Sequence, residues 1–275
     1  MTVHDTIHSF IIYIYALSLL FYFSDCIRRN ASAKLIGTGL LVIVSIMQFM
    51  YLVFYTVNQG YVPIYSMYDF IFLFSFCIVL ISFILSRGQR SEYIVFLLNV
   101  VSFSALVLSD FWLAPSENTL LNWQTVHGML VMHIALANLG FAALTVSAVF
   151  AMIYLFLHYR LKLKRWNDSM RRVPSLEILQ LYMNKASLIG TPILGISVIL
   201  AILSIVAEKQ WLYLLDLKVL ATFIALCIYV GYFVSKRYID APQHVMARWI
   251  LIGYAFVIIS FMSNAWSMFH RWTGE

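Results

Sequence analysis

Charge is what this sequence lacks most. Asp, Glu, Lys and Arg make up 11% of its 275 residues, whereas 63% are hydrophobic and the mean hydropathy is +0.88. A soluble domain of this length needs far more charge to cover its surface, so that class is excluded. Cysteine is scarce too. Cys26, Cys77 and Cys227 are scattered and none belongs to a CxxC pair, which excludes a thiol-redox motif and covalent c-type haem attachment to this chain. Three such thiols read as small apolar packing residues. Nor does any stretch interleave aromatic and basic residues in a nucleic-acid pattern, so the net charge of +6 has another meaning.

What the chain has in abundance is long apolar runs. Eight spans are predicted, at residues 7–26, 35–57, 69–86, 93–113, 126–159, 186–206, 217–235 and 249–271, each near or above the ~20 residues that a bilayer core requires. Backbone groups in lipid must be satisfied within the segment, so the expected class is all-α: a polytopic membrane protein forming one helical domain over residues 1–275. The first span lacks a basic leader and a small-residue cleavage site and reads as a mature helix.

The basic residues give the orientation. Arg28, Arg29, Lys34, Arg87, Arg90, Arg160, Lys162, Lys164, Arg165, Arg171, Arg172, Lys185, Lys236, Arg237 and Arg248 fall on one side, against Lys209, Lys218 and Arg271 on the other. Positive charge stays cytoplasmic, so both termini are expected outside. The largest polar segment, 160–185, is then cytoplasmic. Its second half, "PSLEILQLYMNK", starts with Pro174 and Ser175 and has apolar residues at helical spacing. It reads as an amphipathic helix on the inner leaflet, and as either a connector or the docking surface of a cytosolic partner.

Seven histidines remain to be sorted. His158 and His244 fall at the cytoplasmic edge, where solvated interfacial roles are expected. His4 and His8 form an HxxxH pair at the outer start of the first span; without a third ligand or the glutamate of HExxH they read as solvated terminal residues. His133 lies near the outer end of the long fifth span, and His270 reaches the same level at the end of the last. Two histidines from different helices at one depth can offer two imidazoles to one iron, although each alone reads as an ordinary interfacial residue. His127, six residues before His133, is turned about 240° round the helix and cannot easily serve the same site.

Three stretches and a closing motif carry a resemblance. "LVMHIALANLGFAAL" is similar to a histidine-bearing helix followed by a small-aromatic-Ala-Ala step, here Gly140 to Ala143. "LEILQLYMNKASLIGTPIL" resembles an amphipathic helix running into a Gly-x-Pro-x-Leu start, at Gly190, Pro192 and Leu194. "WLYLLDLKVLATFIALCIYVGY" resembles a tryptophan-rich outer loop that enters a helix, with Asp216, Lys218 and Tyr229 matching, and "WSMFHRW" resembles a closing histidine at His270. The family is that of the haem-handling membrane proteins of cytochrome c assembly, called CcsA/CcmC, with HemX as a related branch; the match covers roughly residues 120–275. The resemblance implies His133 and His270 as axial metal ligands of one haem b, with Trp211 and Tyr213 as its platform. Asp216 and Lys218 come with the same loop. Arg271, directly after His270, and Lys218 are the expected cations for the haem propionates, the alternative being that Arg271 snorkels at the interface.

The chain departs from the synthase pattern where Leu215 replaces a tryptophan, Leu217 a proline and Val219 a glutamate, and where Val234 stands in place of a second helix histidine. The reduced set is like the HemX branch. It implies a membrane protein of the bacterial cell membrane that restrains haem synthesis by lowering the level of glutamyl-tRNA reductase, and no enzyme in its own right. The expected partners are haem, membrane lipid and a cytosolic partner at 160–185, with no nucleic acid. The alternative is a haem delivery or export component of cytochrome c maturation. A solute transporter is disfavoured, because no inverted repeat is visible and Asp69 and Asp110 fall near the outer ends of their spans.

Overall fold

The computed structural model describes residues 3–60, 66–88, 90–112, 127–164, 168–207, 209, 211–239 and 241–263. Among them are eight α-helices: α1 (Val3–Ile27), α2 (Ala31–Gln59), α3 (Met67–Ser86), α4 (Glu92–Trp112), α5 (His127–Lys162), α6 (Leu176–Ala207), α7 (Leu217–Tyr238) and α8 (Gln243–Ser263). Two short 3-10 turns, Asp168–Arg172 and Trp211–Leu215, lie before α6 and α7, and no strand occurs among the described residues. All eight helices are long and apolar enough to cross a membrane. The protein is a multi-pass membrane protein whose described spans are all helical, as the apolar runs predict.

Two compact units divide the chain, one formed by Met1–Ile64 with Tyr68–Pro115 and the other by Tyr65–Met67 with Ser116–Glu275. In the first, α1 pairs with α2 and with α4. The α1–α2 link is short because its polar side chains satisfy the backbone. Asp25 accepts from the Asn30 N–H at 2.8 Å, and the Asn30 side chain caps α2 by accepting from the N–H groups of Ser32 and Ala33. Gly37 lets the two helices approach closely: a Cβ there would come within 3.1 Å of the Tyr22 ring, and the Ser18 hydroxyl donates to its carbonyl at 2.8 Å. Farther in, Tyr15 donates to Asn99 at 2.7 Å and Asn99 donates to Ser82 at 2.9 Å. Gln48 donates to Ser75, and Ser102 donates to Ser75 as well. His8 belongs to this interior. It is 1% exposed, with its ring against Tyr68 and Phe72 at 4.6 and 5.9 Å, so it is not the solvated terminal residue expected from its position.

The second unit is organised round α5, whose 36 residues span about 54 Å at 1.5 Å per residue, well beyond the ~30 Å of a bilayer core. Its main partner is α6, and α8 packs on it as well. Two glycines set the α5–α6 crossing. A Cβ on Gly140 would stand 3.0 to 3.2 Å from the Cβ, N and Cα of Leu194, and one on Gly190 would stand 3.0 Å from the Leu144 side chain. Small residues at a crossing let backbones approach, which is how apolar helices gain packing in lipid. Thus Gly140, Gly190 and Leu194 of the family-like stretches have a packing role. Serines tie the other end, where Ser147 bonds to Ser187 at 2.6 Å and to the Met183 carbonyl at 3.0 Å.

The segment expected as a surface helix before the sixth span is instead continuous with it. α6 starts at Leu176, directly after Pro174 and Ser175, and runs through to Ala207 despite Pro192. Leu179 and Met183 of that segment are fully buried in the unit, which explains its apolar spacing without an appeal to the leaflet surface.

Candidate functional site

His133 stands six residues into α5, at the end opposite Lys162, and is 7% exposed. Its Nδ1 is 2.8 Å from the Ser197 carbonyl oxygen and 2.9 Å from the Ser197 hydroxyl. A carbonyl oxygen only accepts, so Nδ1 carries the ring proton and Nε2 carries the lone pair. The Ser197 hydroxyl in turn donates to the His133 backbone carbonyl at 2.9 Å, which closes a tight clasp between α5 and α6.

The imidazole lines a cleft between α5, α6 and α7 that measures about 510 Å³ with its open mouth included. Ala137, Phe141, Leu194, Val198, Ala201, Ile202, Ile205 and Val219 make the wall apolar, and the polar groups on it are His133, Ser197, Lys218 and Thr222. Phe141 is backed by Phe261 of α8 in an edge-on contact at 6.2 Å. Thr222 bonds to Ser260 at 2.6 Å and to the Lys218 carbonyl at 2.8 Å, so its hydroxyl is engaged in holding α7 to α8.

Lys218 reaches this cleft because of a helix cap. The Asp216 side chain accepts from the Lys218 N–H at 3.0 Å and caps α7, and the first turn of that helix then borders the cavity. Asp216 is itself 9% exposed. Trp211 lies in the 3-10 turn ahead of it, is 58% exposed, and is not among the residues that line the cavity. The Tyr213 side chain, like those of His4 and His127, lies outside the described residues, as do His270 and Arg271 entirely. So of the residues expected at the site, His133 and Lys218 share one cavity and Asp216 supports it. Sequence reasoning missed Ser197, whose signal was present as a serine three residues after Leu194 on the same helix.

The match to a family model decides which proteins this one is built like. The model described as "Cytochrome C assembly protein" covers residues 64–270. The chain belongs to that family. It is also similar to two curated proteins named Protein HemX. One, from Brevibacillus brevis, is 31% identical over 269 residues, covering 97% of each chain; the other, from Bacillus subtilis (strain 168), is 31% identical over 260 residues, covering 94% of each. Family and relatives together fit a haem-related membrane protein of the bacterial cell membrane, and the family match ends on the closing histidine, His270.

No group of three or more His, Cys, Asp or Glu side chains that could hold a metal ion occurs among the described residues. A haem iron asks less, since it brings four nitrogens of its own and takes only axial ligands from the protein. The fit therefore turns on His133. An imidazole that ligates a metal characteristically donates its other ring N–H to a carbonyl or carboxylate, which fixes both tautomer and ring orientation. His133 has that arrangement through Ser197, beside an apolar cavity with a lysine on its wall.

Proposed function

We propose that this protein binds haem b, with His133 and His270 as its axial ligands, and that it modulates haem biosynthesis by lowering the level of glutamyl-tRNA reductase without being an enzyme itself. The observation that carries the reading is the bond from His133 Nδ1 to the Ser197 carbonyl, which leaves Nε2 as the ligating nitrogen. The wall beside the imidazole is mostly apolar, with Phe141 and Leu194 on it. Haem supplies an iron for the imidazole and two carboxylates that need cations near the membrane edge. Lys218 on the wall and Arg271, directly after His270 in the sequence, are the cations for them, and the loop that carries Trp211 and Tyr213 is taken as the haem platform. By the positive-inside bias of the basic residues this end of the protein faces outward, with both termini outside.

The test is the absorption spectrum of the detergent-purified protein. Low-spin six-coordinate bands are expected, and His133→Ala or His270→Ala should each remove or convert them while His127→Ala leaves them unchanged. An unchanged spectrum in both ligand variants ends the reading. A charge-assisted bond of ~1.5–3 kcal/mol corresponds to roughly 10- to 100-fold in affinity, so Lys218→Gln should weaken haem binding by that order while Lys209→Gln does not.

The regulatory half has its own test. Deletion of the gene should raise glutamyl-tRNA reductase and leave c-type cytochromes normal. A deficiency of c-type cytochromes would favour the alternative of haem delivery, which the family description supports and the lost tryptophan at Leu215 opposes. The segment 160–185 is the surface for the cytosolic partner: reversing charge at Arg171 and Arg172 should abolish regulation with haem content unchanged. Regulation that survives this change would move the signal to another surface.

A further inference from the structure

The far end of the second unit holds a second cluster that the haem reading does not use. His158, in the last turns of α5, and His244, in the first turn of α8, stack with ring centroids 5.0 Å apart and planes 11° from parallel. Tyr154 continues the stack on His158, at 6.1 Å and 11°. Beside it the Arg248 guanidinium hydrogen-bonds the Tyr159 hydroxyl and lies 5.8 Å from that ring. The charged and titratable groups that bear on His158 are His244, Lys162 and Arg248. Each of them is cationic or becomes so on protonation. Face-to-face imidazoles do not aim their nitrogens at each other, so this pair is not built to clamp one metal ion between them. Like-signed groups gathered at a partly open surface are instead relieved by an anion.

We propose that this cluster is a seat for the phosphate of an anionic phospholipid headgroup. The anion belongs to a lipid, and not to a soluble phosphate, because exposed apolar side chains continue along α5 from the Tyr159–Arg248 side of the cluster. Met152 and Phe156, seven and three residues before Tyr159 and so on its face of α5, are 50% and 52% exposed. Cations at the ends of two membrane-spanning helices, with exposed apolar surface running from them into the span, match a headgroup above its acyl chains. The seat is formed where α5 and α8 meet, so a bound lipid would bridge the first and last helices of the unit.

The full-length protein in a neutral detergent is titrated with dioleoylphosphatidylglycerol, with dioleoylphosphatidylcholine and with inorganic phosphate, and retained adducts are counted by native mass spectrometry. Phosphatidylglycerol should be retained well above phosphatidylcholine. The loss of one cation in Arg248→Gln should lower that retention about fivefold. The double change His158→Gln with His244→Gln should lower it at least as far, and Lys209→Gln should have no effect. Equal retention of the two lipids, or unchanged phosphatidylglycerol retention in Arg248→Gln, overturns the proposal. Retention of inorganic phosphate with no preference between the lipids overturns the lipid as its source. Arg248 is exposed, so its variant decides the matter even if the double histidine variant fails to fold.

Discussion

Within α1–α4 one set of buried polar side chains bonds across helices: Tyr15 with Asn99, Asn99 with Ser82, Gln48 and Ser102 with Ser75. Within α5–α8 the clasp between His133 and Ser197 uses one nitrogen of the ring and leaves the other beside a cavity. Both sets are buried and both join helices. The difference lies in what is left over: a polar group satisfied by a neighbouring helix acts as glue, whereas one with a spare lone pair at a cavity can meet a ligand. Burial of a polar group alone does not separate the two cases, because Asn99 is more buried than His133.

The most severe test of this contrast concerns the packing that brings Ser197 to His133. Gly140→Leu should destabilise the second unit by ~1–3 kcal/mol, and more if the backbone cannot shift, because its Cβ would meet the Leu194 backbone at 3.1 to 3.2 Å. Gly195→Leu, on the facing helix with nothing within 4 Å of the added Cβ, should be nearly silent. Thermal unfolding in detergent followed by tryptophan fluorescence compares them. Equal losses would mean that the crossing is not set by glycine contact.

A smaller effect is expected in the first unit. Asn99→Leu strips Tyr15 and Ser82 of their shared partner, and interhelical hydrogen bonds in membranes are worth ~0.6 kcal/mol on average, up to ~1.7. A loss of about 1–2 kcal/mol in the same assay, with haem content unchanged, would support glue as the role of that network. Haem loss in Asn99→Leu would instead tie the first unit to the cofactor and dissolve the contrast.

The smallest change is expected from Ser197→Ala. It removes the hydroxyl but keeps the backbone carbonyl that accepts from Nδ1, so stability should fall by no more than about 1 kcal/mol. The axial bands should shift slightly and persist. Their complete loss would make the hydroxyl, and not the carbonyl, the group that orients the ring.

The helices were legible in the sequence because a bilayer imposes length and apolarity locally, residue by residue, and the eight runs needed nothing else. Their ends were less so. The surface helix predicted before the sixth span is instead the start of α6, because Leu179 and Met183 are buried within their unit, which no local pattern reveals. At the site, His133 was visible as an ionisable residue in an apolar helix, and Asp216 and Lys218 through the loop that the family resembles. The same kind of reading placed His8 in solvent and treated His158 and His244 as separate solvated residues, because exposure and stacking depend on which helices pack together.

The sequence by itself determined that this chain lives in a membrane as helices, that it belongs with the cytochrome c assembly proteins, and which histidines were worth weighing. Only the tertiary structure decided which nitrogen of His133 holds the proton, since that depends on a carbonyl 64 residues away brought to 2.8 Å by the contact of Gly140 with Leu194. Composition and hydropathy act through local solvation, whereas a tautomer is set by one neighbour in space.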